Sequence, residues 1–237
     1  MRDLEMLVLA GGFGTRLKDV VSSVPKPMAP INGIPLLQLQ LNHWVRQGQR
    51  SFIFLLHHQA EIIIEFLEQQ SKLFGKKVKI DWIVEPFPLG TGGSVSNAIR
   101  SRDLNNQVLI SNADTWLEGG LKEVNESETA TIAAIRVENT TRYGSISIDN
   151  EGFVNEFIEK NTNAKRNVQG IINAGLYKLP TSLFLGFEEK EFSLETEVLP
   201  SLSRKRLLNS VLLEGNFFDI GVPKDYHRFC NWYRDKI

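Results

Sequence analysis

The chain has 237 residues, 27 Lys+Arg against 28 Asp+Glu for a formal net charge of −1, and one cysteine, Cys230. This balance, with no basic stripe, excludes a dedicated nucleic-acid binder, and a single thiol excludes an internal disulfide and suits a reducing compartment. The length suits one α/β domain or one domain with a small lobe. An acidic N-terminus with a short apolar run leaves no signal peptide to expect, and no apolar run approaches membrane-spanning length. The expectation is a cytoplasmic protein with neither membrane nor nucleic acid as a partner.

The first predicted strand, Met6 to Ala10, is a short apolar run. It feeds Gly11-Gly12-Phe13-Gly14, where missing Cβ atoms allow a tight turn and close approach of backbone to a ligand, and where N–H groups can converge on an anion. Arg16 follows, and Lys26 sits between Pro25 and Pro27. A strand, a glycine loop and two cations describe a triphosphate cradle, although glycines after a strand are often only a turn. Neither the dinucleotide fingerprint G-x-G-x-x-G nor the P-loop pattern is present.

Pro35 to Gln47 predicts a helix stopped by Gly48, Ser51 to Leu56 a strand, Ala60 to Leu73 a helix and Val78 to Val84 a strand. This alternation argues for βαβ units and a largely parallel sheet. A second glycine-rich loop, Glu85 to Ser94, follows at a strand's carboxyl end, where open α/β sheets bind ligands. The strand Gln107 to Ser111 delivers Asn112-Ala113-Asp114. A carboxylate at that tip can hold Mg²⁺ or serve as a turn or cap residue. His57 and His58 are expected on opposite faces of a strand, which disfavours a histidine metal site.

Beyond a strand at Thr131 to Arg136 the pattern shortens to Ser145 to Ile148, Val154 to Ile158 and Gln169 to Leu179, read as an antiparallel insertion rather than a second domain. Ser193 is a plausible N-cap, Ser203 to Arg206 a solvated turn, Phe217 to Ile220 the last strand and Lys224 to Lys236 a closing helix carrying Cys230 as a packing residue.

Gly-Gly-x-Gly-Thr-Arg-Leu followed by Pro-Lys-Pro-Met (11–17 and 25–28), Pro-Leu-Gly-Thr-Gly-Gly (88–93), Arg-Tyr-Gly (142–144), Ser-Leu-Glu (193–195) and Phe-x-Asp-Ile-Gly-x-Pro (217–223) occur in one order along the chain. Together they resemble the sugar-1-phosphate nucleotidyltransferases, within them most the D-glycero-D-manno-heptose 1-phosphate guanylyltransferase group. The resemblance runs from Leu7 to Tyr226. It implies a Rossmann-like α/β fold, with a mixed, mostly parallel sheet flanked by helices and a small antiparallel sugar-binding lobe. One nucleotidyltransferase domain would span 1–237, its nucleotide part about 1–136 and its sugar lobe about 137–237. Ala113 departs from the Gly or Ser usual before the aspartate but stays small.

The implied reaction joins an NTP to a sugar 1-phosphate, giving an NDP-sugar and pyrophosphate. Its nucleophile is a phosphate oxygen already ionised at neutral pH, so catalysis reduces to positioning and charge neutralisation. The resemblance implies catalytic Arg16, Lys26 and Asp114, with Asp114 and Asp219 holding Mg²⁺. It places the nucleotide on Leu9, Ala10, Gly11, Gly12, Gly14, Thr15, Glu85, Gly90, Thr91 and Asn112, and the sugar phosphate on Gly144, Glu159, Lys160 and Asn173. A carboxylate at Glu85 can accept from both N1–H and the 2-amino group of guanine, which favours GTP; it could equally face solvent or cap the next helix. GTP with D-glycero-D-manno-heptose 1-phosphate is the first expectation. Mannose 1-phosphate is an alternative, as is a uridylyltransferase using glucose or N-acetylmuramate 1-phosphate. A binding subunit without activity would have lost Arg16, Lys26 or a metal carboxylate. A homodimer is compatible with the chain.

Overall fold

The computed structural model describes residues 4–14, 17, 20, 21, 23–158, 169–187 and 190–236. In chain order the strands are β1 (Met6–Leu9), β2 (Pro30–Ile31), β3 (Ile34–Pro35), β4 (Ser51–Leu56), β5 (Lys79–Val84), β6 (Gln107–Asn112), β7 (Thr115–Leu117), β8 (Thr131–Val137), β9 (Ser145–Ile148), β10 (Val154–Ile158), β11 (Gly170–Pro180), β12 (Asn209–Leu213) and β13 (Phe217–Asp219). The helices are α1 (Leu36–Arg46), α2 (Ala60–Phe74), α3 (Gly90–Ser101), α4 (Leu121–Glu126), α5 (Leu199–Arg204) and α6 (Pro223–Arg234).

Nine strands form one sheet. Its centre, β6-β1-β4-β5, is parallel throughout, as strands buried on both faces tend to be. The side-chain alternation shows why. Met6 and Val8 enter one core with Phe52 and Phe54, whereas Leu7 enters the opposite core with Ile53 and Leu55. Leu37, Leu41 and Trp44 of α1 and Ile63, Phe66 and Leu67 of α2 cover the first face. Val95 and Ala98 of α3 and Leu199 and Leu202 of α5 cover the second.

β11 extends the sheet beyond β6 and runs antiparallel to it, to β8 and to β9. The short strands expected to form an insertion therefore continue the same sheet. A register shift in β11 between Asn173 and Tyr177 breaks its pairing with β8. It contains Gly175 at φ +76°, where a Cβ would stand 2.7 Å from the Asn112 amide nitrogen. The bulge thus bends β11 around the tip of β6.

The expected strands and α1, α2 and α6 match to within one or two residues, whereas the second glycine-rich stretch, expected as a loop to Ser94, is helical from Gly90 onward as part of α3. The fourth expected strand runs on to Asn112, so this asparagine belongs to β6 rather than to the loop. β7, α4 and β12 were not anticipated. β7 spans three residues and α4 six, too few for a periodic signal. His57 and His58 lie past the end of β4 rather than on opposite faces of it. Both rings contact Phe13, with centroids 5.8 and 5.2 Å away. Among the described residues no helix is long and apolar enough to cross a membrane.

Candidate functional site

The parallel strands end together on one edge, where ligands bind in open α/β sheets. Gly11 follows β1, Glu85 follows β5 and Asp114 follows β6. A cavity of about 530 Å³ opens there. Of the residues expected from sequence, Leu9, Ala10, Gly11, Gly12, Lys26, Glu85, Gly90, Thr91, Asn112, Asp114, Gly144, Asn173 and Asp219 all line it. Gly14 lies instead in an adjoining cleft with Phe13 and Lys26. Its φ is +61° and a Cβ would stand 3.4 Å from Lys26 Cβ, so the glycine lets the loop pass over this lysine. Thr15, Arg16, Glu159 and Lys160 lie outside the described residues.

β13 pairs antiparallel with β7, setting Asp219 opposite Thr115, next to Asp114. The Ile220 N–H donates to the Asp114 carbonyl at 2.8 Å and fixes this alignment. Two aspartates far apart in sequence thus meet. Lys26 Nζ donates to Asp114 Oδ2 at 2.7 Å, and a Cβ at Gly221 would stand 3.3 Å from its ammonium and 2.7 Å from Asp219 Oδ1. Asp219 Oδ1 accepts from the Gly221 N–H at 2.9 Å. Its Oδ2 accepts from Arg142 Nη2 at 3.4 Å, while Arg142 Nη1 donates to buried Asp225 at 2.6 Å. Burial, followed by the charge of Asp114, pushes the Asp219 carboxyl above the usual range; the Gly221 N–H, Lys26 and Arg142 oppose that shift. Charged carboxylates out of water repel and resist ionising together.

This pair fits a hard divalent cation. Both donors are carboxylate oxygens, and a second positive centre would relieve the repulsion felt at Asp219. No group of three or more His, Cys, Asp and Glu suited to a metal occurs among the described residues. A cation here would complete its coordination with ligand oxygens.

The Glu85 carboxylate is buried, and that burial pushes its pKa up; Ser94 and the Leu89 N–H oppose the shift. Oε2 accepts from the Leu89 N–H at 3.4 Å. Glu85 therefore supports the start of α3 while lining the cavity, and the solvent-facing alternative is not realised. Asn173 is similarly engaged: Nδ2 donates to the Tyr177 hydroxyl at 2.7 Å and Oδ1 accepts from the Gly175 N–H at 2.9 Å.

The second glycine loop differs from expectation. Its glycines make room for protein as much as for ligand. A Cβ on Gly92 would fall 2.3 Å from the Phe192 ring, and one on Gly93 would fall 2.7 Å from the Lys190 carbonyl. The Gly92 and Gly93 N–H groups both donate to the Phe192 carbonyl, at 3.0 and 3.2 Å. The segment 190–195 is thereby clamped onto α3. Phe192 is buried and stacked on Phe187 at 4.2 Å, so its ring has nowhere to move. Gly92→Ala is expected to destabilise the fold by about 1–3 kcal/mol through overpacking, measured by denaturant unfolding; an unchanged midpoint would contradict this packing.

Tyr143, Ser193 and Glu195, which the Arg-Tyr-Gly and Ser-Leu-Glu motifs contain without an individual role assigned to them, also line the cavity. Ser193, expected as a cap and as part of the Ser-Leu-Glu motif, fills the cap role by accepting from the Glu195 and Thr196 N–H groups. Arg142 was missed as the partner of Asp219 because the pairing depends on a long-range fold contact.

The profile of the family described as nucleotidyl transferase matches residues 5–236. The chain is 32% identical over 228 residues to the D-glycero-alpha-D-manno-heptose 1-phosphate guanylyltransferase of Campylobacter jejuni, covering 95% of this chain and 98% of that one. It is 33% identical to the mannose-1-phosphate guanyltransferase of Saccharomyces cerevisiae, covering 93% of this chain but only 62% of that longer protein. Among solved structures, HddC from Yersinia pseudotuberculosis complexed with GMP-PN superposes with a TM-score of 0.83 at 33% identity, over 97% of this chain and 99% of that one. A UDP-glucose pyrophosphorylase complexed with UDP-glucose superposes with a TM-score of 0.80 over both whole chains; at 17% identity this is a likeness of fold.

Proposed function

The chain belongs to the nucleotidyl transferase family, and from that premise we propose that it joins GTP to a sugar 1-phosphate, giving a GDP-sugar and pyrophosphate. D-glycero-D-manno-heptose 1-phosphate is the favoured acceptor. The observation that carries this reading is the meeting of Lys26, Asp114 and Asp219 beside the glycine loop in one cavity. The heptose 1-phosphate guanylyltransferase relative, matched along nearly its whole length, supports the choice of substrates.

The reaction needs two polyanions in line at the α-phosphorus and no proton shuttle. Lys26, anchored by Asp114, is placed to neutralise the α-phosphate and the incoming sugar phosphate. Gly11 and Gly12 bring backbone to the triphosphate, and Gly12 has open space where a Cβ would stand. Arg16 is assigned to the departing pyrophosphate. Tyr143, Gly144 and Asn173 form the wall assigned to the sugar, and Glu159 and Lys160 are assigned to the same ligand. Asp114 and Asp219 would hold Mg²⁺, which when bound supplies charge stabilisation on the α-phosphoryl oxygens.

Mannose 1-phosphate is the second reading, favoured by the mannose-1-phosphate guanyltransferases among the relatives. A chain without catalytic activity is disfavoured because Lys26, Asp114 and Asp219 are all present and converge.

Glu85 is assigned to guanine, accepting from N1–H and the 2-amino group. Pyrophosphate release with Mg²⁺, for GTP and UTP each with heptose and mannose 1-phosphates, tests both choices. GTP should be preferred, and Glu85→Gln should reduce that preference roughly ten- to a hundredfold, as expected for losing a charge-assisted hydrogen bond. Equal turnover of UTP by the wild-type protein would overturn the base assignment.

A further inference from the structure

We propose that Asp225, on α6, is a positioning residue for the metal: it pins and neutralises Arg142, so that this arginine orients Asp219 without cancelling its charge. The proposal rests on the reading that Asp114 and Asp219 hold the divalent cation.

Asp225 is buried in the first turn of α6, its side chain 5% exposed. An ionised carboxylate in that setting is costly unless it is paired and hydrogen-bonded. Its Oδ2 accepts from Arg142 Nη1 at 2.6 Å. Its Oδ1 lies 3.7 Å from Arg228 Nε, one turn along the helix. Arg228 is itself drawn to β13, where Nη2 donates to the Phe217 carbonyl at 2.9 Å and the guanidinium lies 4.7 Å from the centre of the Phe218 ring. The short bond of Asp225 is therefore the one to Arg142. An acid in the first turn also suits the helix dipole, and that alone would make Asp225 a residue of α6. Such an acid, however, needs neither burial nor an arginine 83 residues away in sequence.

The guanidinium forks between two carboxylates. Its second nitrogen, Nη2, donates to Asp219 Oδ2 at 3.4 Å, while Asp219 Oδ1 accepts from the Gly221 N–H at 2.9 Å. Each oxygen of Asp219 is thus held by the protein while the residue lines the cavity with Asp114. A rigid, planar fork fixes the angle between the groups that it joins. The two lengths divide the labour. Arg142 is tight to Asp225 and loose to Asp219, so its charge is answered chiefly by the buried partner. Asp219 keeps its own charge for a cation. Hydrogen-bond partners that orient a ligating carboxylate in this way tune metal affinity. Arg142 also lies 5.4 Å from the centre of the Tyr143 ring, and Tyr143 and Gly144 line the cavity. The pair therefore ties the wall assigned to the sugar to the metal carboxylate.

Asp225→Asn keeps the shape of the side chain and removes its charge. Asp219 is then left to answer the guanidinium, and becomes a poorer metal ligand. The test uses the full-length protein with a non-hydrolysable GTP analogue and Mn²⁺, followed by electron paramagnetic resonance. The Mg²⁺ concentration for half-maximal pyrophosphate release is measured separately. Asp225→Asn should weaken Mn²⁺ binding in the analogue complex roughly tenfold and raise the Mg²⁺ requirement by a similar factor, with kcat at saturating Mg²⁺ changed less than about threefold. Arg142→Lys should do the same, because an ammonium can pair with Asp225 but lacks the fork that reaches Asp219 as well. It carries the test should Asp225→Asn fail to fold. Unchanged or tighter Mn²⁺ binding in a folded variant would overturn the proposal. So would an Asp225→Asn protein whose one change is a lower unfolding midpoint, since Asp225 would then serve α6 alone. Asp219→Asn is the control. If it too leaves Mn²⁺ binding unmoved, the metal assignment fails and this proposal with it; if it weakens binding while the other two variants do not, the role of Asp225 alone is lost.

Discussion

Lys26→Ala is expected to lower kcat for pyrophosphate release by roughly a hundred- to a thousandfold, the usual loss when a preorganised charged donor to a transition state is removed. The lysine is held for this task. Its side chain is 13% exposed, its ammonium lies 2.7 Å from Asp114, and Gly14 and Gly221 leave space around its stem and head. Arginine should not rescue activity, because a compact ammonium seated 2.7 Å from Asp114 is not replaced by a larger, planar guanidinium fork. The stability cost should be small, about 1 kcal/mol or less, since Asp114 is 31% exposed and water can replace its partner. Stopped-time pyrophosphate assays and thermal unfolding measure the two effects. A variant that unfolds outright would mean that Lys26 serves the fold rather than the reaction.

Asp219→Asn should lower kcat roughly a hundredfold or more and raise the Mg²⁺ concentration needed for half-maximal rate. Its effect on stability should have the opposite sign. Burial and the neighbouring Asp114 raise the Asp219 pKa in the folded state. A carboxyl raised in this way favours the fold fully below its unfolded value, and that contribution is lost as pH rises through the folded value. At neutral pH the ionised aspartate is therefore a liability, and the asparagine variant should be at least as stable as wild type when both are unfolded in chelator. That advantage should vanish in acid, below the ordinary aspartate range, where Asp219 is protonated in both states. A variant that is active and destabilised at neutral pH would show that Asp219 is an architectural carboxylate. Such losses of stability at functional carboxylates are a common accompaniment of active-site chemistry.

The legible part of this molecule is the part written locally. The continuous apolar runs of β1 and β4, the helical spacing of α2 and the glycine run after Leu9 each announce themselves within a few residues, and the structure places them as read. Glu85 was legible only in part. Its position at a strand end was clear, while its bond to the Leu89 N–H depends on where α3 begins. The Asp114–Asp219 pairing was suggested by motif and is made by the short ladder of β7 and β13, which carries no periodic signal. The Arg142–Asp219–Asp225 link and the Glu195–Thr91 link were illegible because each joins segments whose approach is a property of the whole sheet. The glycines of the second loop were read as space for a ligand. The partner they admit most closely is Phe192, a residue whose arrival at α3 no local pattern foretells.

The most direct measurement is a crystal structure with a non-hydrolysable GTP analogue and Mg²⁺. The triphosphate should lie along Gly11 and Gly12 with its α-phosphate beside Lys26, and the ion should be bound by both Asp114 and Asp219. A triphosphate bound away from Lys26, or an ion that leaves either aspartate uncoordinated, would contradict the account.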